Sequence, residues 1–251
     1  GGMNVRTLTE KGRHTHDLDF LTVIRTGEDV LNIRLMMADL GYVEERDWGF
    51  GLRFKKRIEK TDTQASLIHR VDFLMNLVAD LASRMIYVFS EKLIDGGKRS
   101  VGPIFDANRK PELVVEVPCA SIYDQVIMKA MTGRKRDLCD CLAILADAKD
   151  FDVSEFGKRV SYAHEMLESL RKTAEMVHGV VYNYSFGECL LAKLNFARKL
   201  LHERGYDYGY PKKEQESLQE KLTMLEQAVG EHTRREASRG LRANADEVTA
   251  L

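Results

Sequence analysis

The chain has 251 residues, enough for one large or two modest domains with proper cores. Charged residues make up 31% and nearly balance at a net charge of −1, so bulk attraction to nucleic acid or to a membrane is not indicated. No apolar run approaches the ~20 residues that span a bilayer and no signal peptide is visible, so a cytoplasmic protein without a membrane partner is expected. Of the four cysteines, Cys139 and Cys141 are spaced i, i+2 and would point to different sides of a helix. They, Cys119 and Cys189 read as ordinary small, reduced residues.

The chain opens with Gly1-Gly2, a short helical run over 3–10, and Gly12 as a stop. A Gly-Gly turn ahead of a helix lets backbone N–H groups approach a phosphate. The pair is either preceded by further native chain or a non-native remnant ahead of Met3. Next comes Arg13-His14-Thr15-His16-Asp17-Leu18-Asp19-Phe20, running into Leu21-Thr22-Val23-Ile24 as a strand. Residues i and i+2 share a strand face, so Asp17 and Asp19 converge. Two like charges there repel unless a cation neutralises them or one takes up a proton. A Mg²⁺-like ion needs such hard oxygen ligands. Taken alone, Asp-x-Asp reads as a polar strand edge, and His14 and His16 as solvent-facing.

A helix is expected from Thr26 or Gly27, with Glu28 and Asp29 in its first turn, Val30, Ile33, Met37 and Leu40 on one stripe, and Gly41 ending it. Residues 42–47 and 50–59 form a hairpin around Trp48-Gly49. Arg53, Lys55, Lys56 and Arg57 crowd its second strand, which reads as a solvated, charge-protected edge ahead of a substrate-binding strip. Residues 67–75 make an apolar strand holding one acid, Asp72, which is costly there unless compensated. A third metal ligand would explain it. Residues 77–94 are ambiguous, with at least one strand at Ile86-Tyr87-Val88-Phe89. Asp95-Gly96-Gly97-Lys98 reads as a turn, and Leu113-Val114-Val115-Glu116-Val117 as a short strand ended by Pro118.

Ser121 is placed to cap a helix, with Asp124 three residues on in an acidic variant of the capping box. Lys129 sits mid-helix in an apolar run, either snorkelling or binding an anion. Asp137 and Asp140 share a helical face at i, i+3. A stripe of Phe156, Val160, Ala163, Leu167, Leu170, Ala174 and Val177 follows. A helix over 187–203 ends at Gly205, and a third carries Leu218, Leu222, Leu225 and Val229. These helices need one another as partners. The polar tail after Gly230 is expected to fray, and the domain boundary to fall near 149–150.

Gly-Gly, a short helix, Asp-x-Asp on a strand and a later lone Asp on a strand together resemble the nucleotidyltransferase fold of the polymerase-beta type. The blocks Gly1-Gly2-Met3-Asn4-Val5-Arg6 and Arg13 to Phe20 resemble the AbiEii-type nucleotidyltransferases, MenT proteins included, which are toxin halves of toxin–antitoxin pairs. Lys129-Ala130-Met131-Thr132-Gly133-Arg134-Lys135-Arg136-Asp137-Leu138-Cys139-Asp140 resembles their Lys…Arg-Asp-x-x-Asp-Leu motif. Thr15 stands where Ser is commoner, and Met3 where many relatives carry a small polar residue.

The resemblance implies an α/β (α+β) nucleotidyltransferase-like mixed sheet with flanking helices over 1–149, followed by a C-terminal helical bundle over 150–251. It implies transfer of a nucleoside monophosphate from an NTP to an acceptor hydroxyl with Mg²⁺ or Mn²⁺, on tRNA or another RNA, with a cognate antitoxin as partner. Asp17, Asp19 and Asp72 would hold the metals. Lys129 would bind triphosphate, and Asp137 would orient Lys129 or the acceptor. Gly1, Gly2, Arg6, Arg13 and Thr15 would contact the nucleotide. Lys193, Arg198 and Lys199 are candidate acceptor contacts, and Lys129, acting by charge, is expected to matter little for stability. Two rivals stand beside this reading. One is the same chemistry on a small acceptor such as an aminoglycoside; the other is a non-catalytic binding or scaffold protein keeping the fold.

Overall fold

The computed structural model describes residues 17–58, 67–80, 85–89, 98–105, 111–148, 150–178, 185–205 and 209–249. The chain is mixed α/β and divides into two compact units, residues 1–79 with 86–125, and residues 80–85 with 126–251. The boundary expected at 149–150 therefore falls inside the second unit. Residues 126–148 group there because Leu138, Leu142, Ile144 and Leu145 are fully buried against later helices.

The first unit is built on a four-stranded sheet ordered β1-β4-β3-β2, with β1 (Asp17–Thr22), β2 (Val43–Asp47), β3 (Gly51–Ile58) and β4 (Leu67–Met75). β1 runs parallel to β4, and the other two pairs are antiparallel. Period-two alternation puts Leu52, Phe54, Val71, Phe73 and Met75 on one face. Helix α1 (Gly27–Asp39) covers that face with Ile33 and Met37. Phe73 stacks on Phe20 at 5.3 Å and meets Phe54 edge-on at 5.9 Å. Each fully buried side chain of this size contributes about 1.5–3 kcal/mol. The expected helix start holds: the Asp29 carboxylate accepts the backbone N–H groups of Arg25 and Thr26 at 2.8 Å each, which holds it below the usual carboxylate range. Leu40 is left exposed, because α1 ends before it and Gly41 turns the chain at φ +76°.

Asn76 ties the ends of β1 and β4 together. Its backbone is in the left-handed region at φ 62°. Its amide accepts from Ile24 N at 2.8 Å and donates to Ile24 O at 3.0 Å, while its backbone N–H reaches Thr22 O. Two smaller sheets follow, β5 (Leu77–Asp80) with β6 (Met85–Val88) and β7 (Lys98–Phe105) with β8 (Pro111–Pro118). The turn expected at 95–98 is corrected at its end, where Lys98 opens β7; positions 95–97 lie outside the described residues.

Helices α2 (Ile122–Thr132), α3 (Lys135–Asp147), α4 (Val153–His178), α5 (Phe186–Arg204) and α6 (Lys212–Thr249) complete the chain. Ser121 caps α2 as expected, accepting Asp124 N–H at 3.1 Å. The buried Asp124 carboxylate in turn takes the Tyr87 hydroxyl at 2.6 Å. The three long helices pack on one another, and α3 packs on α5 and α6. Phe156, Val160, Ala163 and Leu167 on α4, Leu190, Leu194, Ala197 and Leu201 on α5, and Leu218, Leu222, Leu225 and Val229 on α6 are buried. Arg198 is committed to this bundle, pairing with Glu226 on α6 at 3.0 Å. The frayed tail expected after Gly230 is a continuation of α6 to Thr249. A single glycine costs only about 1 kcal/mol in a helix, and the Glu-, Arg- and Ala-rich segment beyond it favours helix. Just past that glycine, His232 is buried, with Nδ1 3.0 Å from Ser161 Oγ. Among the described residues, no helix is long and apolar enough to cross a membrane.

Candidate functional site

The parallel register of β1 and β4 sets Asp19 directly opposite Asp72, with Asp17 opposite Arg70 two positions earlier. Paired residues on neighbouring strands share a face. Asp19 and Asp72 therefore stand on the side of the sheet away from Val71 and Phe73. Asp19 is exposed and Asp72 is buried. The register thus brings Asp19 and Asp72 side by side on adjacent strands.

β3 extends the row, placing Arg53 opposite Asp72 on the other side. Its Nε donates to Asp72 Oδ1 at 2.7 Å and its terminal NH2 to Oδ2 at 2.5 Å. The Asp72 side chain is 9% exposed and that of Arg53 37%. A lone buried carboxylate costs roughly several kcal/mol, and a planar guanidinium fork meets both of its oxygens at once. Arg53 is the compensation that the sequence assigned to a metal ligand set. The charge-protected edge expected of this strand is corrected, because β3 lies between β4 and β2; its Lys55 pairs with exposed Glu45 at 3.1 Å and its Arg53 with Asp72. One signal was present, since Leu52 and Phe54 are core residues and Arg53 must face the other way. Its partner required the β3–β4 register.

A tryptophan steadies this arginine. The Arg53 guanidinium lies 5.8 Å from the centre of the Trp48 ring, and that of Arg46 lies 6.0 Å away. Gly51 makes the indole position possible, because a Cβ there would come within 2.7 Å of the ring.

Hard carboxylate oxygens on adjacent strands suit a divalent cation in chemical type. Among the described residues, no group of three His, Cys, Asp or Glu side chains is gathered closely enough to hold a metal ion. Asp17 is described by its backbone position alone. Gly1, Gly2, Arg6, Arg13 and Thr15, with His14 and His16, lie outside the described residues.

The second unit gathers the remaining expected residues at the turn from α2 to α3. Lys129 Nζ lies 3.1 Å from Asp137 Oδ1 and 2.8 Å from Asp140 Oδ2. Asp137 also accepts from Thr132 Oγ1 at 2.9 Å and Arg134 Nε at 2.5 Å. Lys129 is only 11% exposed, and the two acids are 1% and 3% exposed. Burial pushes the Asp137 carboxyl up, but Lys129, Arg134 and Thr132 together outweigh it and hold it below the usual range. Lys129 is therefore integral to the packing, and the expectation of a side chain of little structural weight is corrected. Cys141, beside this cluster, is buried and its thiol is pushed up by burial, in keeping with a packing role.

No family model matches the chain, and no curated protein or solved structure matches it significantly.

Proposed function

We propose that this chain is a divalent-metal-dependent nucleotidyltransferase that moves a nucleoside monophosphate from an NTP to an acceptor hydroxyl. The observation that carries the reading is Asp19 facing Asp72 across parallel strands, with Asp17 two positions before. Bound Mg²⁺ or Mn²⁺ would stabilise charge on the phosphoryl and leaving oxygens and favour the deprotonated acceptor. Asp17, Asp19 and Asp72 supply the oxygens that hold it. Asp72, fixed by the β1–β4 register, would also help receive the acceptor proton. Lys129 of the second unit is bound by Asp137 and Asp140 and takes no part in this reading. The acceptor we assign is tRNA or another RNA, in a toxin controlled by a cognate antitoxin.

The test is incubation of the full chain with each labelled NTP, Mg²⁺ and total RNA. Label is expected to enter an RNA species with wild type and to be lost with Asp19→Asn. Label in a small-molecule fraction instead would move the assignment to an aminoglycoside-like acceptor. One observation favours a second reading: Arg53 satisfies Asp72 without any metal, as a non-catalytic scaffold would require. A wild-type protein that transfers label to neither fraction supports that scaffold.

A further inference from the structure

The three positions Asp19, Asp72 and Arg53 form one row across β1, β4 and β3. Both oxygens of the central carboxylate are taken by the guanidinium fork at 2.7 and 2.5 Å. A divalent ion gathered between Asp19 and Asp72 needs at least one of those oxygens. Guanidinium and metal therefore compete for the same atoms.

The geometry also lets the guanidinium leave. It approaches Asp72 from the β3 side, opposite to Asp19, and its side chain is 37% exposed where that of Asp72 is 9%. The Trp48 ring gives it a second favourable contact that does not depend on the carboxylate. A planar fork that fits a carboxylate also fits a phosphate.

We propose that Arg53 is the exchangeable counter-ion of this site. It neutralises and positions Asp72 in the metal-free protein, yields the carboxylate to the divalent cation, and then binds the triphosphate of the incoming nucleotide. The proposal rests on the nucleotidyltransferase reading and adds to it a residue that is held back until metal and nucleotide arrive. Arg53 is a positioning residue before that exchange and a substrate contact after it.

The experiment is calorimetric titration of MnCl₂, without nucleotide, into the full-length wild type, Arg53→Lys, Arg53→Gln and Asp19→Asn, followed by tripolyphosphate in the presence of Mn²⁺. Arg53→Lys keeps the charge and loses the fork, so it guards against a variant that fails to fold. Both Arg53 variants are expected to bind Mn²⁺ about tenfold more tightly than wild type and tripolyphosphate about tenfold more weakly. Mn²⁺ binding by wild type that Asp19→Asn abolishes, with no gain in either Arg53 variant, overturns the exchange and leaves the metal site standing. Tighter Mn²⁺ binding without any loss of tripolyphosphate affinity also overturns it, by reducing Arg53 to a structural partner. No Mn²⁺ binding by any of the four proteins removes the metal site and the exchange together.

Discussion

The two charged clusters of this protein are made of the same residue types and differ in how they are enclosed. At the turn from α2 to α3, two acids and two bases meet within twelve residues of sequence, and the acids are almost fully shielded from water. Across β1, β4 and β3, an exposed acid, a buried acid and a half-exposed arginine meet only because three strands are in register. The first arrangement is closed: every charge has a short-range partner, and exchanging one would strand another in low dielectric. The second is open on one side, where a partner can be replaced by water, metal or phosphate. Charge alone does not mark a functional site; access to the charge does.

The largest effect that sharpens this contrast is expected from Lys129→Met. It leaves Asp137 and Asp140 buried with one cation fewer, and breaking such a pair costs roughly 3–5 kcal/mol. Urea unfolding of wild type and variant measures it, and a loss below about 1 kcal/mol would break the contrast. Next comes Asn76→Ala, which acts on the open cluster from beneath by loosening the strand ends that set Asp19 against Asp72. Alanine adopts the left-handed backbone less readily and drops two amide hydrogen bonds to Ile24. The expected loss is about 2–3 kcal/mol, read in the same unfolding experiment.

The smallest effect concerns pH and Asp137. Its folded-state carboxyl lies below the ordinary value of about 3.9, so its stabilisation is complete above that value. It is lost as pH falls through the lower folded value. The advantage of wild type over Asp137→Asn is expected to be about 1–2 kcal/mol and flat between about pH 5 and 8, then to shrink below about pH 4. An advantage that grows on acidification would mean that burial, not Lys129 and Arg134, dominates the site.

How much of this was legible in the sequence follows from the same difference in range. Helical and strand periodicity placed α1, the β2–β3 hairpin, β4 and the helices of the second unit, because each is written in neighbouring residues, although Leu170 of the first stripe is exposed. The Asp137 and Asp140 face could be read from i, i+3 spacing alone. The role of Arg53 could not, since it depends on pairing Arg53 with Asp72 nineteen positions later. β7 was hidden for another reason. Gly102 and Pro103 interrupt its pattern, and the structure absorbs them as a register shift between Val101 and Ile104. The continuation of α6 was misread because a glycine and a polar composition look like an ending, whereas the buried His232 makes the segment part of the bundle.

One remaining contact sets an order of events during synthesis. Lys221 on α6 donates to the carbonyls of Leu145 at 2.6 Å and Ala148 at 2.8 Å, closing the C-terminal end of α3 from more than seventy residues downstream. Helix ends leave carbonyls without partners of their own. As the chain leaves the ribosome, α3 can close its last turn with its own backbone bonds, but the carbonyls of Leu145 and Ala148 stay solvated until residue 221 has emerged and α6 has docked. A chain stalled before α6 would present those two carbonyls to water, and the α3 face that α6 covers to chaperones and proteases.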